Sequence, residues 1–426
     1  MLDMKFVRDN TDLVREYLKK RRVEFPLDEL LKADSERRRL ITELQELRHR
    51  RNVTSDQVAV MKSKKQDASK VIAEMKEVSA KISSDDVELK KVEEELHRLQ
   101  LGLPNVVHES VPDCIGDENS VEVRRWGKPK PMEFPVKDHI DIGTSLDIID
   151  MGRGAKVAGA RFYYLKGDLV RLNFALIQLA LEFGQSKGYV VVQPPYLLRR
   201  EIMEGAVDLT AFEDSIYKLE GEDLYLLTTS EHALLAYHAD EILDGSRLPL
   251  RYLGVSPCFR REAGAHGRDT KGIFRVHQFE KVEQFVFTRP EESWPEHERL
   301  ISSAEEFFQL LRLPYRIVNI CSGDLGAPAA KKYDLEVWLP GQGTFREAVS
   351  CSNCTDWQAR RLAIRFRDKM GEEPRLVHTL NSTLVATGRA LIAVMENNQQ
   401  ADGSFIVPKP LRKFMGGTEK ISALAP

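Results

Sequence analysis

Basic residues are concentrated in one segment near the middle of the chain, FRREAGAHGRDTKGIFRVHQFEKVEQFVF at positions 259–287. They lie between two apolar stretches and comprise Arg260, Arg261, Arg268, Lys271 and Arg275. A solvated loop can carry such charge, but it has no need of apolar flanks. Because the arginine side chain offers a planar, permanently charged set of donors, it suits bidentate binding of carboxylates and phosphates. The segment therefore predicts a site for an anion.

The second half of this segment has the alternation of a β-strand, in which every other residue lies on one face. That face would carry Arg275, His277, Phe279, Lys281 and Glu283. A ring or a guanidinium can stack on a planar base, and a carboxylate among aromatic residues requires a partner because burying an unpaired charge is costly. The pattern indicates the floor of a pocket. A two-sided strand with incidental salt bridges is the alternative.

Polar residues also lie where predicted strands meet predicted helices. Thr229, Ser230 and Glu231 follow the strand LYLL and precede HALLAYHA, so they form either a simple helix cap or part of a site. Arg389 lies near the start of an apolar helix, where a cation opposes the helix dipole. A nearby anion would offset that cost, although an exposed arginine tolerates it. Glu347 lies in the predicted strand TFREAVS.

The composition limits the classes of protein to consider. A chain of 426 residues exceeds one typical core, so two or three domains are expected. With a net charge of −3, any nucleic acid must be bound by local basic patches. Neither GxxxxGKS/T nor GxGxxG occurs, which excludes the common nucleotide-binding loops. The sequence has no start typical of a signal peptide and no apolar run of membrane length, so we expect a cytoplasmic protein without a membrane partner.

The five cysteines are too few and too widely spaced for a disulfide framework, and a reducing compartment is expected. Cys351 and Cys354 form a CxxC pair, but no second pair of ligands lies at the spacing of a zinc site. Ordinary buried thiols are therefore favoured, and no structural zinc is expected.

Residues 35–100 contain neither proline nor glycine. Their apolar residues recur at alternating steps of three and four, which is the spacing of a coiled-coil seam. The seam weakens at 66–70, where we expect the chain to reverse and form an antiparallel pair of helices. The seam consists of Leu40, Leu44, Leu47, Val58, Met61, Met75, Val78, Ile82, Leu89, Val92, Leu96 and Leu99.

Charge is distributed unevenly between these two predicted helices. Positions 37–66 carry nine bases and three acids, whereas positions 70–100 carry six bases and eight acids. One interpretation is a solvated coiled coil with salt bridges between its helices. The other is an arm that follows an RNA backbone, because phosphates dominate the attraction of nucleic acids to proteins. The arm alone does not distinguish the two.

The remainder of the chain predicts a second domain. Prolines at 104, 112, 129, 131 and 135 mark a linker, after which strands alternate with helices. Several predicted strands lie close together, among them the buried strand YVVVQ, LYLLTTS, RYLGVSPCF and FRVHQFEKVEQFVF, so an antiparallel sheet is favoured. We predict an α+β fold with an N-terminal domain at 1–110, whose hairpin occupies about 35–100, and a catalytic domain at 111–426. MGGTEKISALAP is expected to be a loose tail.

Together these segments resemble the motifs of class II aminoacyl-tRNA synthetases, and specifically the seryl-tRNA synthetase family. GYVVVQPP resembles motif 1, FRREAG through HQFEKVE resembles motif 2, and the segment ending GRALIAVMEN resembles motif 3. LPNVVHESVP, GARFYYLKGD, TTSE, REAVSCSN and CTDWQARR also resemble family signatures, in family order. The basic helical arm comes first, as it does in that family. The resemblance covers nearly the whole chain.

The resemblance implies a reaction in two steps: serine and ATP form seryl-adenylate and pyrophosphate, and the seryl group then passes to the 3′ end of serine tRNA. It implies Mg²⁺ bound with ATP, and a homodimer in which the arm of one subunit serves the active site of the other. The arm would hold the long variable arm of serine tRNA, and selenocysteine tRNA is a second expected substrate. The arm residues expected to contact tRNA are Arg37, Arg38, Arg48, Arg50, Arg51, Lys62, Lys64 and Lys65.

The resemblance also implies roles for residues at the ATP end of the site. Arg260 would bridge the serine carboxylate and the α-phosphate, while Phe279 would stack on adenine and Arg389 would cover its other face or reach the distal phosphate. Arg260 and Arg389 are the expected catalytic residues. Glu347 and Ser350 carry the oxygen ligands that suit Mg²⁺. The full set expected to contact ATP is Arg260, Arg261, Glu262, Arg275, Val276, Phe279, Glu347, Ala348, Val349, Ser350 and Arg389.

At the amino acid end, the resemblance implies that Glu231 with Thr229 binds the ammonium group and Glu283 the hydroxyl of serine. The expected serine-binding set is Thr229, Ser230, Glu231, Glu283 and Thr383. The sequence LNST departs from the family pattern, so either Ser382 or Thr383 faces the substrate. REAVS has Val349 where serine is common, so that position is expected to act through its backbone.

Three other functions fit parts of the sequence. An inactive relative that only binds tRNA would be expected to have lost Arg260, Glu283 or Arg389, and all three are present. A ligase that charges a carrier protein with an amino acid would not need the long arm. A threonine-specific enzyme would be expected to use zinc, for which no ligand set is evident.

Overall fold

The computed structural model describes residues 1–209, 213–262 and 271–423. The chain forms two compact units, one of which is Leu2–Pro104. Two short helices, α1 (Met4–Asp9) and α2 (Thr11–Arg21), precede two long ones, α3 (Leu27–Ser63) and α4 (Ser69–Gly102). Pro26 occupies the N-cap of α3, immediately before its first turn. The predicted antiparallel helical hairpin is confirmed.

The two long helices pack through the predicted seam. Its buried members are Leu40, Leu44, Val58, Ile82, Leu96 and Leu99. Ion pairs join the two helices, including Arg37 to Glu93 at 3.0 Å and Arg48 to Asp86 at 2.7 Å. Because these pairs are exposed to solvent, each contributes at most about 1 kcal/mol, so apolar burial provides most of the stability.

The other unit starts at Asn105 and is built on an eight-stranded sheet with the order β1-β10-β11-β12-β15-β9-β8-β4. Its strand pairs are antiparallel except for β4 with β8, so the predicted α+β class is confirmed. The strands are β1 Val121–Trp126, β2 Ile149–Asp150, β3 Tyr164–Leu165, β4 Val190–Val192, β5 Leu197–Arg199, β6 Leu224–Leu226, β7 Ile242–Asp244, β8 Leu250–Phe259, β9 Gln278–Thr288, β10 Tyr315–Asn319, β11 Lys331–Leu339, β12 Thr344–Asn353, β13 Arg365–Arg367, β14 Arg375–Leu376, β15 His378–Ala386, β16 Phe405–Ile406 and β17 Lys420–Ile421.

Helices cover this sheet and bury its apolar side chains. Leu169, Leu172 and Leu176 recur at the helical period in one of them and are fully buried. In the part of the chain that the structure describes, no helix combines the length and apolar character needed to cross a membrane. The helices of this unit are α5 His139–Ser145, α6 Met151–Ala158, α7 Asp168–Ser186, α8 Arg200–Ala206, α9 Ser230–Ala236, α10 Ser293–Leu310, α11 Trp357–Arg361 and α12 Thr387–Asn397.

Several elements differ from the prediction. Strand β9 begins at Gln278, so Arg275 and His277 precede the strand and do not share its face. Strand β4 was expected to be buried, but it forms an edge of the sheet and Val190 is 59% exposed. The C-terminal segment is not entirely loose, because β17 pairs with β16.

The expectation that the cysteines are reduced is wrong for one pair, because Cys114 and Cys321 form a disulfide across 207 residues of sequence. Antiparallel pairing of β1 with β10 brings the two segments together, and Ser322 N donates to Pro112 O beside the bond. Cys351 and Cys354 are buried free thiols, as predicted. The pairing depends on strand order, which the spacing of cysteines along the chain does not encode.

Candidate active site

A cavity of about 450 Å³ lies over the central strands β9, β15 and β12, beside the first turns of α9 and α12. Eleven of the predicted site residues line it, and five others (Ser230, Arg261, Glu262, Arg275 and Val349) lie outside its lining. The eleven are Thr229, Glu231, Arg260, Val276, Phe279, Glu283, Glu347, Ala348, Ser350, Thr383 and Arg389.

One end of the cavity is formed by the N-terminus of α9. Thr229 caps the helix, and its Oγ1 accepts a hydrogen bond from Glu231 N at 3.3 Å. Ser230 is turned away and packs on Gly254, where a Cβ would lie 2.5 Å from Ser230 Oγ. The glycine therefore permits the helix to approach β8 closely, and this contact leaves Glu231 facing the cavity.

Glu231 is held in an environment that disfavours its charge. Burial, reinforced by the nearby Glu283 carboxylate, raises the pKa of Glu231 to about 7. A hydrogen bond of 3.0 Å from Gln358 Nε2, and the charges of Lys281 and Arg260, oppose this rise. A bound ammonium group would stabilise the ionised form, because an opposite charge at short range favours ionisation.

A second buried carboxylate lies on β9. Glu283 accepts a hydrogen bond from Thr383 Oγ1 at 3.2 Å, and Lys281 Nζ lies 2.6 Å from the same carboxylate oxygen. Ser382 Oγ donates instead to Thr383 O, and its side chain is fully buried outside the cavity lining. The geometry therefore brings Thr383, and not Ser382, to the cavity.

Arg260 follows β8 and extends its guanidinium into the cavity, 5.4 Å from the centre of the Phe279 ring. Its backbone is fixed on both sides, because Arg260 N donates to His277 O at 3.0 Å and Arg260 O contacts His277 Nδ1 at 2.8 Å. The side chain Nε donates to Thr228 O at 3.4 Å. These contacts align the cation and the ring along one wall.

Arg389 lines the cavity from the start of α12. Its Nη1 lies 3.2 Å from Glu347 Oε1 and donates to Glu347 O at 2.9 Å, which supplies the anion expected near this helix end. Burial would raise the pKa of Glu347, but the positive charges of Arg389, Lys332 and Arg260 lower it to about 2. Glu347 is therefore ionised across the physiological range.

The predicted residues outside the lining have other surroundings. Arg275 pairs with Glu262 at 3.5 Å, and Arg161 Nη1 donates to Glu262 O at 2.8 Å. Arg261 is exposed, whereas Val349 is buried in the core. Arg268, which the sequence grouped with the other bases, lies outside the described residues.

The structure also brings residues without a predicted role to the site. Lys281 was predicted to share the pocket face, but no contact was assigned to it. Lys281, His232 and Lys332 line the cavity, and Gln358 contacts Glu231 from α11. Burial lowers the pKa of His232 to about 3, so its ring is neutral. Lys281 lies in the segment HQFEKVE and Gln358 in CTDWQARR. The resemblance of these segments to family signatures does not indicate which side chains meet.

The charged arm residues lie in the other compact unit. Arg37 and Arg48 pair with acids of α4, and Arg38 pairs with Asp34 at 3.2 Å. The side chains of Arg50, Lys62, Lys64 and Lys65 are exposed, and that of Arg51 is half-buried. The basic character of α3 is therefore presented to solvent mainly toward the hairpin turn.

No group of three or more His, Cys, Asp or Glu side chains suited to a metal ion is found within residues 1–209, 213–262 and 271–423. The residues predicted for Mg²⁺, Glu347 and Ser350, supply one carboxylate and one hydroxyl. Mg²⁺ commonly binds through one or two carboxylates together with substrate phosphates, so this donor set fits. The absence of structural zinc stays a prediction.

Two family models match the chain. Residues 215–398 match the tRNA synthetase class II core domain (G, H, P, S and T), and residues 1–107 match the seryl-tRNA synthetase N-terminal domain. The core match includes all of the residues that line the cavity except Val207. The mostly antiparallel sheet and the core match define a class II aminoacyl-tRNA synthetase.

Comparison with individual proteins narrows this class. A serine–tRNA ligase from Nitrosopumilus maritimus is 51% identical over 421 residues, which cover 99% of this chain and 100% of the relative. The crystal structure of seryl-tRNA synthetase from Pyrococcus horikoshii complexed with ATP is 48% identical, with a TM-score of 0.96 and 100% of both chains covered. The cytoplasmic serine–tRNA ligase of Naegleria fowleri in complex with AMP is 38% identical, with a TM-score of 0.89 over 100% of this chain and 99% of that one. The chain belongs to the seryl-tRNA synthetase family, as the sequence motifs predicted.

Proposed function

We propose that the cavity joins serine to ATP as seryl-adenylate and then transfers the seryl group to the 3′ end of serine tRNA, as a serine–tRNA ligase. The observation that carries this proposal is the pairing of opposite chemistries in one cavity. Glu231 and Glu283 line the cavity together with Arg260 and Arg389. The acids suit the ammonium and hydroxyl groups of serine, and the arginines suit its carboxylate and the phosphates of ATP.

At the serine end, Glu231 binds the ammonium group with help from Thr229. Glu283 accepts the hydrogen bond of the serine hydroxyl, and the hydrogen bond from Thr383 fixes its carboxylate. A buried acceptor left without its donor is costly, so a site of this kind rejects an analogue that lacks the hydroxyl by about 10⁴–10⁵-fold. Lys281 balances the charge of Glu283 without filling the cavity.

At the ATP end, Arg260 bridges the serine carboxylate and the α-phosphate. Two anions repel each other, so the bridging cation is required before they can react. Phe279 stacks on the adenine ring, and Arg389 covers its other face or neutralises the distal phosphates. Arg261, Glu262 and Arg275 lie outside the cavity lining, and their contacts with ATP stay predictions.

Glu347 and Ser350 would hold the Mg²⁺ that accompanies ATP. The ionised state of Glu347 supports this assignment, because its pKa lies near 2. When bound, the ion adds positive charge beside the phosphates. Ala348 and Val349 would contribute through their backbones, which suits the buried position of Val349.

The first step needs no protein base, because serine attacks as a carboxylate. Its oxygen forms a bond to the α-phosphorus while the bond from that phosphorus to the bridging oxygen breaks, and pyrophosphate leaves. In the second step a hydroxyl of the terminal ribose attacks the carbonyl carbon, the bond from that carbon to AMP breaks, and the hydroxyl proton is released. The protein contributes position and preorganised charge.

The arm and the quaternary structure complete the proposal. The exposed bases of α3 bind the long variable arm of serine tRNA, which gives a salt-dependent affinity. Val190 is 59% exposed on β4, within the segment that resembles motif 1, and Phe174 is 59% exposed on the preceding helix α7. Apolar side chains of this size at a sheet edge suit an interface, which supports a homodimer. Cytoplasmic location and use of selenocysteine tRNA stay predictions.

Amino-acid-dependent exchange of pyrophosphate into ATP, measured with serine, threonine, alanine and glycine, tests the chemistry. We expect exchange with serine alone, followed by charging of serine tRNA. Exchange with none of the four would favour the inactive tRNA-binding relative. Serine-dependent exchange without transfer to tRNA would favour a carrier-protein ligase, and exchange driven by threonine would contradict the substrate assignment.

A further inference from the structure

Gln358 is a fully buried amide at the edge of the cavity, on the short helix α11. Its Nε2 donates to Glu231 Oε1 at 3.0 Å and to Ala206 O at 3.3 Å. Its Oε1 accepts a hydrogen bond from the hydroxyl of Thr379 at 2.7 Å. Both donors and the acceptor of the amide are therefore used.

These three partners allow one orientation of the amide. If the amide were rotated, its oxygen would face the carbonyl of Ala206, which cannot donate, and the carboxylate of Glu231, which cannot donate when it is ionised. Thr379 is itself buried, and its backbone is fixed by hydrogen bonds with Cys354 and Thr355. The amide is therefore a rigid donor aimed at one oxygen of Glu231.

We propose that Gln358, oriented by Thr379, is a positioning residue for serine: it fixes the Glu231 carboxylate so that its other oxygen faces the substrate ammonium group. The proposal rests on the proposed role of Glu231 in binding that group. Gln358 does not line the cavity and reaches serine only through Glu231. It therefore affects serine binding and leaves the ATP end of the site unchanged.

The charges around Glu231 give the proposal a pH signature. Glu283 and Lys281 face it from β9, Arg260 from the end of β8, and His232, which is neutral, lies next to it on α9. Burial and Glu283 raise the pKa of Glu231, whereas the hydrogen bond from Gln358 lowers it. Without the amide donor, ionisation of Glu231 requires a higher pH.

The test compares Gln358→Met with the wild type by serine-dependent pyrophosphate exchange across a range of pH. Because a hydrogen bond to a charged group is lost, KM for serine should rise by about 10- to 100-fold, while KM for ATP stays within twofold. The pH midpoint of kcat/KM for serine should move upward. Thr379→Val should show the same effects more weakly, and Thr379→Ser, which keeps the hydroxyl, should restore wild-type behaviour.

Gln309→Met serves as a matched control, because Gln309 donates to Tyr315 far from the cavity. Equal losses toward serine and ATP, or an unchanged pH midpoint in Gln358→Met, would overturn the positioning role. If Gln358→Met does not fold, the pair Thr379→Val and Thr379→Ser decides the question by the same criteria. Glu231→Gln separates the two proposals. If its KM for serine is unchanged, the proposed role of Glu231 is wrong. If its KM for serine rises while that of Gln358→Met does not, only the positioning role of Gln358 is wrong.

Discussion

Lys281 Nζ lies 2.6 Å from Glu283 Oε2, and the two side chains are only 7% and 2% exposed. They are two residues apart on β9, so the alternation of the strand sets them on the same face. The counterion of this buried carboxylate therefore comes from its own strand. Removing either residue should destabilise the fold, since the remaining charge would be buried without its counterion.

Replacing Lys281 by methionine should therefore lower the free energy of unfolding by about 3–5 kcal/mol, because Glu283 loses its counterion. Lys166→Met is the matched control: Lys166 pairs with Asp147 at 2.5 Å, but the two side chains are 37% and 74% exposed. That variant should lose at most about 1 kcal/mol. Urea denaturation provides the measurement, and equal losses in the two variants would contradict the argument.

Replacing Arg260 by glutamine should lower the rate of serine-dependent pyrophosphate exchange by about 10²–10³-fold, because the preorganised cation between two anions is lost. Stability should change little, since its guanidinium faces the cavity. Arg199→Gln, at a site whose side chain is 78% exposed, provides the control for charge removal. An Arg260→Gln variant with wild-type exchange would exclude the bridging role.

The raised pKa of Glu231 predicts a pH dependence. Serine binding requires the ionised carboxylate, so kcat/KM for serine should rise as the pH increases through about 7 and fall again when the amino group of serine loses its proton. The effect on stability has the opposite sign. Because the pKa of Glu231 is higher in the folded than in the unfolded protein, folding favours its neutral form. Its contribution to the free energy of unfolding therefore declines as the pH rises from about 4.3 to about 7. A flat profile in the wild type, or a rise through about pH 7 that persists in Glu231→Gln, would contradict this prediction.

The basic arm should contribute to tRNA binding and not to adenylate formation. Joint replacement of Arg50, Lys62 and Lys64 by glutamine should raise KM for tRNA and reduce the salt dependence of binding by roughly one slope unit per lost phosphate contact. Pyrophosphate exchange should be unaffected. The same change at the exposed lysines of α4, at positions 76, 81 and 90, is the control. If the two triple variants behave alike, net charge and not the α3 surface governs binding.

The disulfide between Cys114 and Cys321 should contribute measurably to the free energy of unfolding. Cys114→Ser should lower the free energy of unfolding by about 2–4 kcal/mol without reductant, because the bond constrains the unfolded chain. With reductant, the wild type should fall to the level of the variant. Alkylation of the unfolded wild type should modify three thiols without reductant and five with it. Five modified thiols in both conditions would show that the bond does not form.

Much of the fold could be predicted because its signals are local. The hairpin follows from a seam at steps of three and four with no helix breaker, and the strands follow from alternation between turn residues. The start of β9 was predicted four residues too early, since apolar and charged residues continue the alternation at Phe274–His277 although the strand begins only at Gln278. Pairing depends on a neighbouring strand, which a local pattern does not contain.

By its own residues and their order, the sequence determined the family, the basic arm and eleven of the side chains that line the cavity. Only the tertiary structure decided which side chains meet: Gln358 with Glu231 across 127 residues, Arg389 with Glu347, and Thr383 in place of Ser382 beside Glu283. These contacts arise from strand order and register, including the irregularity in the pairing of β15 with β9 next to Thr383. Each results from the packing of the whole domain, so no segment of the chain encodes it alone.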